Sequence, residues 1–127
     1  ETATIINKKL KKEIIYTDKL REQDKGLLTG LEKTKAYIKY PEYKNITKVT
    51  TVYPNGESLK NLYDRIKELL IELKDDNQLL ITHRGVINMI YYILTNTPLD
   101  MDKEKFNVTH GSIHELDIHN KKIKKLY

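Results

Sequence analysis

The sequence predicts an α/β protein, a three-layer α/β/α arrangement with a mostly parallel sheet and a C-terminal hairpin. Three patterns carry that prediction. Leu79, Leu80 and Ile81 form a short apolar run, as in a strand buried on both faces, and a nearly continuous apolar stretch from Val86 to Leu94 reads as the buried helix after it. Upstream, Leu59, Leu62, Tyr63, Ile66, Leu69, Leu70 and Leu73 recur at spacings of three and four, the stripe of an amphipathic helix. Near the end, Ser112 to Ile118 alternates as a strand does, and His119-Asn120 suits a turn into Lys122 to Leu126.

The remaining elements follow from the same periodicities. Ala3, Ile6 and Leu10 lie at helical spacing, which predicts a helix over Thr2 to Lys12, and Ile14-Ile15-Tyr16 reads as a short strand. Asp18 to Leu31 carries two glycines, mixed charge and poor periodicity, so it reads as a loop leading to a helix near Leu31 to Ile38. Pro41 and Pro54 bracket a segment in which only Val49 to Tyr53 has strand composition. Asp75-Asp76-Asn77 ends the long helix, the strand Gln78 to Thr82 follows, and Pro98 breaks the chain after the second helix. No repeat, linker or low-complexity tract divides the chain, so residues 1–127 read as a single domain. One or two parallel strands are few for such a sheet, which leads us to expect that its first strand or strands lie outside this chain.

Composition excludes several functions. A hydrophobic content of 39% and a charged content of 32% suit a globular protein. No apolar run approaches the roughly 18 residues of a membrane span, and no signal-peptide pattern opens at Glu1-Thr2-Ala3, which makes a cytoplasmic protein the simplest reading. The absence of cysteine removes thiolate nucleophiles, thiolate metal sites and disulfides. The net charge of +5 permits an anionic partner, but the lysines are scattered among acids, and their densest runs at Lys8-Lys9 and Lys121-Lys122 lack the arginine forks and stacking aromatics of a nucleic-acid groove.

Chemistry concentrates at Thr82-His83-Arg84-Gly85. A histidine at the carboxyl end of a parallel strand, followed at once by a helix, sits where open α/β sheets bind ligands, and free N–H groups at the helix start favour an anion such as phosphate. The plain alternative is a histidine that caps or packs. Glu57-Ser58 before the long helix reads as an N-terminal cap ahead of a substrate contact, Arg65 as a surface or supporting ion pair and not a ligand contact, and Asp24 as a loop-stabilising residue. His110 and His114 would share a strand face with no carboxylate to complete a metal site, and Glu115 would point the other way, so no metal is expected, and the nine tyrosines, mostly at core or interface spacing, mark no organic cofactor box.

Taken in order, Glu1-Thr2-Ala3, Leu20-Arg21-Glu22-Gln23-Asp24-Lys25-Gly26, Pro54-Asn55-Gly56-Glu57-Ser58 and Thr82-His83-Arg84-Gly85-Val86-Ile87 resemble the histidine phosphatase superfamily, the phosphoglycerate mutase-like fold. Phe106 to Leu116 resembles the final strand region of its small bacterial phosphatases, so the likeness covers essentially the whole chain. The resemblance implies a phosphatase acting on small phosphorylated metabolites through a phosphohistidine. Phosphoglycerate mutase and alpha-ribazole phosphatase are the related alternatives, and a non-catalytic binding or regulatory module of the same fold is a third. The short stretch between Glu22 and Gly-Glu-Ser favours the phosphatase branch over the mutases. It implies Glu22 as acid/base, His83 as ligand of the equatorial phosphoryl oxygens, and Arg84 and Ser58 as substrate contacts. The nucleophilic histidine of the family stands in an Arg-His-Gly motif that this chain does not contain. The chain is therefore expected to match the carboxyl-terminal two-thirds of an enzyme, to need the N-terminal part of the same domain as its partner, and to be inactive alone.

Overall fold

The computed structural model describes residues 1–73 and 77–127. Helices α1 (Thr2–Leu10), α2 (Lys33–Lys39), α3 (Leu59–Glu72) and α4 (Arg84–Leu94) precede the strands β1 (His114–Asp117) and β2 (Lys122–Lys125). The predicted helix end at Asp75-Asp76 lies outside the described residues.

Helices α3 and α4 form the centre. The α3 stripe buries Leu59, Leu62, Ile66 and Leu70 against Val86, Met89, Ile90, Tyr92 and Leu94 of α4, with Leu116, Ile118 and Ile123 of the hairpin region packed alongside. Helix α3 starts in register because Ser58 and Asn61 form a capping box. The Asn61 amide donates to Ser58 Oγ at 3.0 Å, and the Ser58 amide donates to Asn61 Oδ1 at 3.0 Å. At the end of α4, Thr95 Oγ1 donates to the Tyr91 carbonyl at 2.7 Å. The Tyr92 hydroxyl is fully buried between Asp100 Oδ1 at 2.5 Å and the Asp102 carbonyl at 2.8 Å, which satisfies the one polar atom of a large core side chain. A second, smaller cluster joins Leu28, Ala36 and Tyr53, with Tyr43 stacked on Tyr53 at 5.4 Å between centroids.

The hairpin pairs antiparallel in the register His114↔Lys125 to Asp117↔Lys122. Bonds from Ile113 N to the Tyr127 carbonyl and from Leu126 N to the Ile113 carbonyl prolong it, and the predicted turn closes through Lys121 N to the Ile118 carbonyl. Helix α1 is two residues shorter than predicted, because Lys11 turns left-handed at φ 51° and the Asn7 side chain bonds the backbone of Lys12. Helix α4 starts at Arg84, two residues early.

Helices with a β-hairpin fit the α/β class, but among the described residues the only sheet is this two-stranded antiparallel one. The predicted strands at Ile14-Ile15-Tyr16, Val49 to Tyr53 and Gln78 to Thr82 form no ladder there. A strand needs a neighbouring edge, and that requirement is not written in local composition. At Val49 the carbonyl instead accepts from the Lys60 amide at 2.9 Å, and Lys48 to Thr51 is a turn. The expectation that the 79–81 run is buried on both faces is also corrected: Leu79 is 61% exposed and Leu80 and Ile81 are only half-buried. His110 lies before β1, so it shares no strand face with His114.

Helix α4 and β1 are joined by a polar chain. Ser112 Oγ donates to the Thr109 carbonyl at 2.7 Å and so accepts from His114 Nε2, also at 2.7 Å. His114 Nδ1 is then left to accept from the Tyr91 hydroxyl at 2.9 Å. Burial, aided by the charge of Lys125, lowers the His114 pKa from its usual 6.5. A histidine with a depressed folded pKa costs stability once the unfolded chain gains a proton that the folded one refuses. We predict that stability is level above pH 6.5 and falls below it, and that in His114→Gln this part of the acid slope disappears. Denaturant titrations from pH 8 to 5 check this; parallel slopes in the two proteins would exclude the assignment.

Candidate functional site

The loop 18–26 lies across the N-terminal ends of α3 and α4, and one side chain holds it there. Arg65, projecting from α3, donates through Nη1 to the carbonyls of Lys19 at 2.6 Å and Arg21 at 3.1 Å. Its Nη2 meets Glu57 Oε1 at 2.7 Å and its Nε meets Glu57 Oε2 at 3.4 Å. Both side chains are largely buried, at 17% and 16% exposure, so the pair is a two-point contact shielded from solvent rather than a surface ion pair. Glu57 Oε1 also accepts from the Asp24 amide at 3.0 Å, the Glu57 amide donates to the Asp24 carbonyl at 2.9 Å, and Asp24 Oδ1 accepts from Gly26 N at 2.7 Å. Of the two readings of Arg65, a surface or a supporting ion pair, the geometry matches the supporting one, and it matches Asp24 as a loop stabiliser. Gly56 permits this contact, because a Cβ there would stand 2.5 Å from the Asp24 carbonyl oxygen.

The clamped loop delivers Glu22 to the start of α4. Glu22 Oε2 accepts from the Gly85 amide at 3.2 Å, and Oε1 accepts from the amide of Gln23 at 2.9 Å. The α4 N-terminus is one of the helix ends whose free N–H groups and dipole attract negative charge. Gly85 is required for the approach: a Cβ there would lie 2.2 Å from Glu22 Oε1. Thr82 Oγ1 donates to the Leu20 carbonyl at 2.7 Å, tying the segment before α4 to the same loop.

Between loop and helix lies a cavity of about 180 Å³ whose polar wall is Glu22, Gln23, Lys25, Arg84, Asn88 and Lys103. Leu59, Leu62 and Met89 supply its apolar wall. Lys103 Nζ donates to Gln23 Oε1 at 3.0 Å. Burial, and then the like charge of Lys25, push the Lys103 pKa down, while Glu22 opposes this. Arg84 reaches Glu104 at 3.3 Å across an exposed surface, a contact that water screens.

Of the residues singled out by sequence, the structure brings Glu22 and Arg84 into one cavity. His83 is the exposed N-cap of α4, extended at φ −110° and ψ 159°, and its side chain makes no capping bond. Ser58 does not line the cavity. It is 2% exposed, and its hydroxyl is engaged within the α3 cap by Asn61. Gln23, Lys25, Asn88 and Lys103 were not expected. Asn88 carried a signal, being the only amide in the apolar run Val86 to Leu94, whereas nothing local marks Lys103 among the many lysines. Among the described residues no three histidine or acidic side chains converge as a metal site, and no helix is long and apolar enough to cross a membrane.

The family model described as histidine phosphatase superfamily (branch 1) matches residues 1–126. Among curated proteins, a fructose-2,6-bisphosphatase of Saccharomyces cerevisiae is 31% identical over 83 residues, which are 62% of this chain and 18% of that protein. The chain thus spans less than a fifth of the length of the relative it matches. No solved structure matches it.

Removing Arg65 leaves the Glu57 carboxylate in a shielded position without its cation. Arg65→Ala is expected to lower stability by about 3 kcal/mol, and Arg65→Lys to recover only part, because an ammonium lacks the planar fork that serves a carboxylate and the loop carbonyls together. Hydrogen exchange should quicken at the Asp24 and Gly85 amides in Arg65→Ala. Unchanged exchange at both would show that the loop is held by something else.

Proposed function

The chain belongs to the histidine phosphatase superfamily, and on that premise we propose that it is the greater part of a phosphatase of small phosphorylated metabolites. The reading places a phosphohistidine intermediate in the reaction, with the nucleophilic histidine in an Arg-His-Gly segment upstream of Glu1. That segment supplies the parallel strand beside which 78–82 completes a three-layer α/β/α sheet, in one domain with residues 1–127, in a cytoplasmic setting. The observation that carries the proposal is the carboxylate of Glu22 held at the Gly85 amide, on the N-terminus of α4. An acid/base group and an anion-attracting helix end thereby share one site.

The chemistry follows from that pairing. The imidazole nitrogen of the upstream histidine attacks phosphorus, the bond from phosphorus to the ester oxygen breaks, and Glu22 gives its proton to the departing alcohol. Water then attacks the phosphohistidine, Glu22 takes a proton from it, and the phosphorus–nitrogen bond breaks to release inorganic phosphate. Negative charge spreads over the three equatorial oxygens in both steps. His83 and the Gly85 amide are the donors assigned to them, and Arg84 is the contact for substrate. Ser58 serves through the α3 cap, next to the Glu57 carboxylate that anchors the loop.

The test uses the full-length protein that contains this chain, with p-nitrophenyl phosphate. We expect hydrolysis with an acid-labile phosphoenzyme. Glu22→Gln should lower kcat by about 10²- to 10⁴-fold, as loss of a general acid–base group does. Because p-nitrophenolate leaves with little help, the variant should also accumulate phosphoenzyme. Full-length protein that neither turns over this ester nor forms a phosphoenzyme would refute the reading.

A further inference from the structure

We propose that Tyr92 is a positioning residue for Glu22: its buried hydroxyl fixes the segment 100–106, and Lys103 of that segment braces the loop 18–26 at Gln23. The inference rests on the reading of Glu22 as the acid/base group. It gives that carboxylate a second support, from α4, which is independent of Arg65.

The hold on the segment comes first. The Tyr92 hydroxyl, fully buried, lies between Asp100 Oδ1 at 2.5 Å and the Asp102 carbonyl at 2.8 Å. Asp100 Oδ1 also accepts from the Asp102 amide at 2.8 Å, Lys105 bonds the other Asp100 oxygen, and Asp102 Oδ1 accepts from the Glu104 amide at 2.9 Å. Phe106 closes the segment, stacked on Tyr91 and edge-on to Tyr92, with centroids 5.0 Å from each. Burial and the hydrogen bond to Asp100 push the Tyr92 hydroxyl above its usual 10, while Lys105 and then Tyr92 hold the Asp100 carboxyl down at about 2. Across the neutral range the bond therefore joins a neutral hydroxyl to a carboxylate, the stronger kind of hydrogen bond.

The direction of Lys103 follows from that hold, because Asp102, whose carbonyl Tyr92 bonds, directly precedes it. On a loose backbone a lysine carries its ammonium out to water. Lys103 is instead partly buried and donates to Gln23 Oε1 at 3.0 Å, with no acidic partner within 4.0 Å among the described residues. Burial works against its charge, so it stays inward only while the chain around it is fixed. Gln23 is the place where such a brace matters. Arg65 grips the loop at Lys19 and Arg21, and Glu57 grips it at Asp24, which leaves Glu22 and Gln23 between the grips. The Gln23 amide donates to Glu22 Oε1 at 2.9 Å, so a displaced Gln23 takes the carboxylate with it. Glu22 Oε2 meets Gly85 at 3.2 Å at an exposed end, a contact too weak to hold the side chain by itself.

The experiment compares Tyr92→Phe, Lys103→Met and the double variant in the full-length protein, by turnover of p-nitrophenyl phosphate and by the amide proton resonance of Gly85. Tyr92→Phe keeps the ring and removes only the hydroxyl; Asp100→Ala breaks the same bond from the outer side and replaces it if the core does not accept the change. Each single variant should lower kcat about tenfold and leave KM within about twofold, because a carboxylate displaced by a fraction of an ångström transfers protons poorly while substrate still binds. The double variant should be no slower than Lys103→Met, since the two residues act in series. The Gly85 resonance should move upfield in each as its bond to Glu22 weakens, with the Ile66 resonance in the core of α3 unmoved. A KM that rises at unchanged kcat would make Lys103 a substrate contact and overturn the proposal. So would losses that multiply in the double variant, or a Gly85 resonance that stays in place. A protein that hydrolyses no phosphoester, yet shows the Gly85 shift in both single variants, would uphold the brace and refute only the hydrolytic reading. Hydrolysis with kcat and the Gly85 resonance unchanged in both would do the reverse.

Discussion

The Arg65 guanidinium is the contact on which the site depends. A single planar group reaches a carboxylate on one side and the carbonyls of Lys19 and Arg21 on the other. It thereby couples helix α3 to a loop that contains little apolar surface of its own to bury. Glu57 then hands the constraint on through the Asp24 amide, and the loop carries Glu22 across to Gly85. The Arg65–Glu57 pair is a charged two-point contact in a shielded place, where such bonds are strongest and losing one partner is most costly, whereas Glu22 meets Gly85 at the exposed end of the relay. The position of the Glu22 carboxylate is thus set nearly two turns along a different helix.

That coupling has meaning only because α3 and α4 are fixed relative to each other. Their contact is made by long aliphatic side chains on one α3 stripe and an almost wholly apolar α4, and such packing sets where both helices begin. The capping box at Ser58 fixes the first turn of α3 next to Glu57, and the first turn of α4 has its Gly85 amide satisfied from the loop instead of from its own cap. A helix start left open to an external carboxylate is also one open to an anionic ligand. Ser58 is thus engaged in the cap of α3, while Glu22 and Gly85 meet at the wall of the cavity.

Local order was legible in the sequence and pairing was not. The α3 stripe, the apolar α4 run, the loop after Asp18 and the hairpin turn at His119-Asn120 all depend on neighbours within a few residues, and all stand close to where the pattern put them. The segments at Ile14, Val49 and Gln78 have strand composition, but a ladder depends on a second chain segment, and at Val49 the backbone is instead spent on Lys60. The site divides in the same way. Glu22 and Arg84 came from ordered motifs, and Arg65 from its place on α3. Lys25, Asn88 and Lys103 meet only because the loop, α4 and the segment after it converge, and a lysine carries no local mark of whether it will face a cavity or solvent.

The central claim is that the clamped loop sets Glu22 at a helix end that is also the phosphate position. An NMR titration of the full-length protein with inorganic phosphate, following the amide resonance of Gly85, tests it most directly. The account predicts a saturable shift at Gly85, as a phosphate oxygen takes over from Glu22 as acceptor of that N–H. Saturable phosphate binding that leaves the Gly85 amide unmoved would contradict it.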